Sequence, residues 1–286
     1  MAACRGYTRP VANAAIVHDL AFINWVVLFA LAGGGAGAAV IVRSLSDVAP
    51  GYLRFLAAFA AVLGVVVLLA DLSLPAVATL TVPGDASYDA PRRVLLGVFV
   101  VLAVAYAVAA GRGLRAPRLG AGVLLVTALI TVAAALGWGG GLVQGVPVVV
   151  LFALLLAVTG GTFAAMVLGH WYLVTPALPA RPLIEMTRVL TWLLALQLII
   201  FWLWTALGSG TGGRPFGALV GGSAVFVWLL LGIGLVFPLA VMVMANRTAR
   251  TRSMESATGL LYIATAAVLA ATIVAAGLYF GTGVLA

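Results

Sequence analysis

Residues Leu154–Pro182 read LLLAVTGGTFAAMVLGHWYLVTPALPARP, a run of apolar and small residues that ends in a histidine, two aromatics and three prolines. Gly161, Ala165 and Gly169 recur at i, i+4 and i+8, so on an α-helix they form one strip without bulky side chains, along which a second helix can approach closely. His170 follows directly. Trp171 and Tyr172 carry the amphipathic rings that favour a membrane–water boundary, and Pro176, Pro179 and Pro182 stop the helix there. The stretch therefore reads as a membrane span with His170 near one rim, where it either helps proton entry or caps the helix.

The rest of the chain has the same character. Of its 286 residues 65% are hydrophobic and only 8% are charged, with a mean hydropathy of +1.25. That leaves too little polar surface to coat a water-soluble globule. Apolar runs of the ~20 residues needed to cross a bilayer recur throughout. The reading is an all-α, polytopic integral membrane protein of about eight transmembrane helices, surrounded by the lipid bilayer. The spans fall at Leu20–Val42, Tyr52–Leu74, Val94–Ala110, Leu119–Trp138, Val146–Val174, Val189–Leu207, Gly217–Met244 and Thr258–Gly281. Between the second and third lies a polar connection, TVPGDASYDAPRR, from Thr81 to Arg93. Pro238 should kink the seventh. Met1–Asp19 has no apolar core and does not read as a cleavable signal peptide.

All fifteen cations are arginine. They are scattered through short loops instead of forming a stripe, so the +8 net charge bears on orientation and not on nucleic acid. Ten of them (Arg43, Arg54, Arg112, Arg115, Arg118, Arg181, Arg188, Arg247, Arg250 and Arg252) fall at the ends joined by the odd-numbered loops, and five at the other face. By the positive-inside bias the richer face is cytoplasmic and both termini are extracytoplasmic. Asp19, Asp71, Asp85 and Asp89 gather on the outer face.

A weak internal repeat is present. LFALAGGGAGAAVIVR in the first span parallels LLAVTGGTFAAMVLGHWY in the fifth, with Gly33 and Gly37 spaced like Gly161 and Ala165. The chain reads as a single transmembrane domain, 1–286, built of two four-helix halves, about 20–138 and 146–281. Each half has an even number of spans, which makes the repeats parallel. Small-residue stripes in packed membrane helices are the alternative source of the similarity.

Several chemistries are disfavoured. A bis-histidine haem needs two imidazoles at one depth, and the two histidines, His18 and His170, fall on opposite rims, so no haem is expected. A single cysteine, Cys4, leaves no internal disulfide and no cysteine-based metal site. The glycine runs lie in or between spans and not after a strand, which points to helix packing instead of phosphate binding.

The first-span segment LAGGGAG, Leu31–Gly37, and the second-span ending LADLSLP, Leu69–Pro75, carry a resemblance. The chain resembles the membrane-anchor family of polysulfide reductase and dimethyl sulfoxide reductase, haem-free quinone-handling subunits of eight or more spans. Asp71, Leu72 and Pro75 match that family's Asp-Leu-Gly-Arg-Pro ending, with Ser73 and Leu74 in place of its glycine and arginine. The resemblance implies a quinone-interacting subunit of a respiratory-type oxidoreductase complex in the bacterial cytoplasmic (inner) membrane. It would pass electrons between menaquinol or ubiquinol and an extracytoplasmic iron–sulfur subunit, with a molybdenum catalytic subunit beyond.

On this reading His18, Asp19, Asn24 and Trp25 hold the quinone ring near the outer rim, and Asp71, part-buried below the headgroups, takes the quinol proton. The bland alternatives are a solvated helix end for Asp71, an exposed tail for His18 and an aromatic belt for Trp25. Two other functions stay open: a non-catalytic structural or assembly subunit of a larger energy-converting complex, and a small-molecule transporter. The transporter is disfavoured because no carboxylate is central in a span.

Overall fold

The structure is a computed structural model that describes the backbone of residues 10–175 and 178–285, and the side chains of those residues other than 10–18, 143 and 144. All regular structure among the described residues is helical. Eight helices are long and apolar enough to cross a membrane: α1 Asp19–Leu45, α2 Pro50–Leu72, α3 Ala86–Gly111, α4 Pro117–Trp138, α5 Gly145–Val174, α6 Arg181–Leu207, α7 Ala224–Arg250 and α8 Met254–Thr282. The chain is thus a multi-pass membrane protein. Many large apolar residues, among them Val62, Val94, Val101 and Trp192, lie exposed on the outside of the bundle, as a helix face turned to lipid requires.

Several boundaries differ from the sequence reading. α3 and α6 each begin about two turns earlier, so Asp89, Arg92 and Arg93 belong to α3 while Arg181 and Arg188 belong to α6. Charged residues at a span's end are tolerated when they pair or reach the interface, and a hydropathy run cannot register that. α7 starts later, at Ala224, because Gly217–Ser223 forms a 3₁₀ turn and bends. Pro238 is preceded by a π-helical segment, Leu230–Val236. A proline without an N–H leaves a carbonyl of the preceding turn free, and a wider turn is one way of accommodating it.

The close helix approach is real, but its register differs by one residue. α1 contains a π-helical turn at Ala30–Gly34. A Cβ on Gly34 would sit 2.0 Å from the Leu156 carbonyl oxygen, and one on Gly160 would sit 2.2 Å from the Gly34 carbonyl carbon. α1 and α5 therefore cross backbone to backbone at Gly34 and Gly160. A Cβ on Gly161 meets instead the Leu190 side chain of α6 at 2.7 Å, and one on Gly169 meets Thr258 of α8 at 2.8 Å. The expected single contact face thus serves two further helices.

The buried side chains form two clusters. One gathers Phe22, Trp25, Phe99, Trp138, Phe152 and Phe280; the other gathers Val42, Tyr52, Leu168, Leu183, Ala249 and Leu261. Both draw on helices from each end of the sequence, so they divide the core by depth along the helices and not by sequence half. Polar ties cross the bundle: the Tyr52 hydroxyl donates to Ala164 O at 3.1 Å, Thr159 and Thr272 share a hydrogen bond of 2.6 Å, and the Tyr279 hydroxyl donates to Trp138 O at 2.7 Å.

Candidate functional site

The last turn of α2 and the first turns of α3 meet at a buried ion cluster. Asp71, in the last turn of α2, is wholly shielded from solvent, and so, to within 1%, is Arg92 in the second turn of α3. Arg92 donates from Nε to Asp71 Oδ2 at 2.6 Å and from Nη2 to Oδ1 at 3.2 Å. Arg93 Nε donates to Asp71 Oδ1 at 3.1 Å, and its Nη2 reaches the Asp71 carbonyl at 3.4 Å. Asp89, one turn before Arg92, stands 2.9 Å from its Nη2. Two carboxylates thus face two guanidiniums with no net charge. Such a set is tolerable in low dielectric because each charge is paired, and Asp71, Arg92 and Arg93 are hydrogen-bonded to one another as well, while Asp89 is held by its ion pair with Arg92.

Aromatic rings close the cluster. The Arg92 guanidinium lies 4.7 Å from the ring centroid of Trp138 and 5.9 Å from that of Trp25, and the two indoles meet edge to face at 4.8 Å. A desolvated cation over an indole face adds attraction on the order of 2 kcal/mol. Among the described residues, Arg92 Nη1 and the indole Nε1 of Trp25 and Trp138 are buried without a hydrogen-bond acceptor, and Asp89 Oδ1 without a hydrogen-bond donor. Gly137 makes room for the arginine: a Cβ there would meet Tyr88 Cβ at 3.1 Å and Arg92 Nη1 at 3.5 Å. The loop before α3 is pinned alongside, since Asp85 N–H donates to Gly137 O at 2.7 Å. The Asp85 carboxylate accepts from Ser87 N–H at 2.9 Å, and hydrogen bonds from the Ser87 hydroxyl and amide hold its pKa below the usual value.

The residues expected to form one site separate into three places. Asp71 and Trp25 come together, joined through Arg92. Asp71 is not the part-buried carboxyl expected at a helix end; it is enclosed and engaged by two arginines that hydropathy alone assigns to the loop. Asn24 follows a different side of α1, since neighbouring helical residues point about 100° apart. Its side chain is exposed and opens into a recess of about 420 Å³ between α1 and α2, lined by Ala21, Val27, Leu28, Ala70 and Ser73. Asp19 is half-buried near the end of α8, its Oδ2 4.0 Å from where a Cβ on Gly281 would stand. His18 lies on a helical backbone, but its side chain is outside the described residues.

A second cavity, of about 300 Å³, lies among α1, α4, α5 and α6. Its floor is the glycine face of α1, Gly33, Gly34 and Gly37, and its walls include Thr127, Leu156 and Leu190. Thr127 Oγ1 is buried and makes no hydrogen bond, whereas Thr131, Thr162, Thr187 and Thr205 each donate back to the carbonyl four residues earlier. Nothing in the sequence distinguishes Thr127 from these. His170 is exposed at the end of α5, two residues before Tyr172, whose hydroxyl donates to Pro179 O at 2.6 Å.

No group of three His, Cys, Asp or Glu side chains able to hold a metal ion occurs among the described residues. No protein-family model matches the chain, and no curated protein and no solved structure was found to match it.

Proposed function

We propose that the chain is a quinone-interacting membrane subunit of a respiratory-type complex, with the quinone ring held in the α1–α2 recess against Asn24. One observation carries the reading: an amide faces the bundle's exterior at a span's outer end, beside a recess with room for a ring. Asn24 is five residues into α1, about 7.5 Å along the helix. A polar side chain turned toward lipid without a partner is costly, and a quinone carbonyl supplies an acceptor for its NH₂ group while the isoprenoid tail stays in the bilayer. Ser73, at the mouth of the same recess, offers a second polar group. Asp71 then serves from behind, fixing the ends of α2 and α3 that form one wall. Electrons would pass to an extracytoplasmic iron–sulfur partner at this rim, in a bacterial inner membrane with both termini outside.

The test is binding of a short-chain menaquinone or ubiquinone analogue to the purified protein. Asn24→Leu should weaken binding at least tenfold, the order of one lost hydrogen bond left unmade, while Thr127→Val in the other cavity should leave it unchanged. Equal affinity in wild type and Asn24→Leu would remove the reading. The non-catalytic structural subunit is favoured by a different observation: Asp71 and Arg92 are consumed by each other and by Asp89 and Arg93, as in a staple.

A further inference from the structure

At the opposite, arginine-rich end of the bundle, the first turns of α6 and the last turns of α7 flank an open pocket of about 310 Å³ lined by Arg188, Trp192, Val243, Asn246, Arg247 and Arg250. We propose that this pocket binds the phosphate of an anionic membrane phospholipid. The spacing is what such an amphiphile needs. Arg188 lies one turn nearer the helix end than Trp192, and Arg247 and Arg250 one and two turns nearer the end than Val243. Cations therefore ring the headgroup level, while an indole that is 72% exposed and a valine line the wall one turn deeper, where acyl chains begin.

The charge is uncompensated. Arg188 pairs with Glu185, but Arg247 and Arg250 have no carboxylate within ion-pair distance among the described residues, which leaves two positive charges at the pocket. The site is also braced. Asn246 donates from Nδ2 to Ile184 O and to Thr187 Oγ1, both at 2.8 Å, which locks α7 to α6, and its Oδ1 accepts from Arg250 Nε at 3.0 Å. Arg250 is thereby held by one nitrogen with its two Nη groups left to a ligand. Arginine's planar fork matches a phosphate's oxygens, and two or three such forks on one phosphodiester bind it far better than one snorkelling side chain. A free inorganic anion would use the guanidiniums alone and gain nothing from Trp192 and Val243, which is why the lipid is the assigned occupant.

The experiment uses the whole chain, purified and delipidated in a neutral detergent, with its unfolding temperature read on addition of dioleoylphosphatidylglycerol, dioleoylphosphatidylcholine or sodium phosphate. Phosphatidylglycerol should raise the midpoint by about 5 °C beyond phosphatidylcholine, as saturating a site does for a chain of this size, and phosphate should not. Arg247→Gln should lose most of that increment, and so should Arg247→Gln/Arg250→Gln. Arg247 is exposed and its side chain makes no hydrogen bond or ion pair among the described residues, so the single variant keeps the measurement valid if the double one does not fold. Arg214→Gln, at the other membrane end, should keep the full shift. Equal shifts with the two lipids, retention of the shift in Arg247→Gln, or reproduction of it by phosphate alone would each overturn the proposal.

Discussion

Replacing Asp71 by asparagine takes one negative charge out of a set of two carboxylates and two guanidiniums in which Asp71 and Arg92 are sealed from solvent. The carboxylate accepts three hydrogen bonds from guanidinium nitrogens, at 2.6, 3.2 and 3.1 Å. Charge-assisted bonds of this kind contribute roughly 1.5–3 kcal/mol each. The amide of asparagine keeps one acceptor oxygen but turns an NH₂ group toward an arginine that can only donate, so one bond survives and at least one is replaced by opposed donors. Arg92 is left with Asp89 alone, whose side chain is 23% exposed. Breaking a buried pair by removing one partner costs about 3–5 kcal/mol, and the remaining Asp89 sets the loss at the lower end, about 3 kcal/mol. At roughly 2–4 °C per kcal/mol for a chain of this length, the unfolding midpoint should fall by about 6–12 °C.

The assay is thermal unfolding of the purified protein in mild detergent, followed by intrinsic fluorescence. The tryptophans that report it include Trp25 and Trp138, which pack on the cluster itself. Asp71→Leu/Arg92→Met supplies the control. Removing both partners leaves Asp89 and Arg93, each partly exposed and free to meet water or each other, so the double variant should be more stable than either single one, with a coupling energy of about 2 kcal/mol or more. A proton-accepting Asp71 makes the opposite prediction: Asp71→Asn would leave the midpoint in place and remove only quinol-linked turnover. A midpoint within about 1 °C of wild type, or strictly additive single substitutions, would refute the staple.

Three further outcomes follow from the same geometry. Gly160→Ala should overpack the α1–α5 crossing against Gly34 backbone and lower stability by about 1–3 kcal/mol, while Gly161→Ala, which meets only the flexible end of Leu190, should cost less than about 1 kcal/mol in the same melts. His170→Cys should react with a membrane-impermeant thiol reagent only from the arginine-rich side of oriented vesicles, in a background with Cys4 replaced; reaction from the other side would overturn the alternation of the spans. Because the Asp85 pKa is lowered on folding, its hold on the loop before α3 is present above the ordinary carboxylate value of 3.8 and lost as pH falls below it, so acidification from pH 6 to pH 3 should destabilise wild type more than Asp85→Ala.

The contrast between what the sequence exposed and what it hid comes down to which quantities are local. Apolar runs of span length are local, and all eight spans are where hydropathy places them, to within the ends. Asp71 was also visible, as an acid closing an apolar run. Its partners were not, because Arg92 and Arg93 follow a polar loop and lower the local hydropathy just as solvated residues would, whereas their pairing depends on the hairpin that brings residues 21 and 22 positions away alongside. A usable signal was there in principle: opposite charges at the facing ends of consecutive spans are cheap only if they meet, since each alone in lipid would be expensive. The glycine strip failed in a subtler way. Its existence was legible, but a strip has no address, and Gly160 met Gly34 while Gly161 and Gly169 served α6 and α8. The π-helical turn at Ala30–Gly34 widens the helix at that crossing, and no count of i and i+4 positions can anticipate a change of period within the helix being counted. The same limit applies to Asn24 and Trp25. Adjacency in sequence suggests one ring for both, but about 100° of helical rotation sends one to the bundle's exterior and the other to Arg92. The candidate quinone contact and the ion cluster therefore lie on different sides of one helix, coupled through the end of α2, which supplies Ala70 and Ser73 to the recess and Asp71 to the cluster.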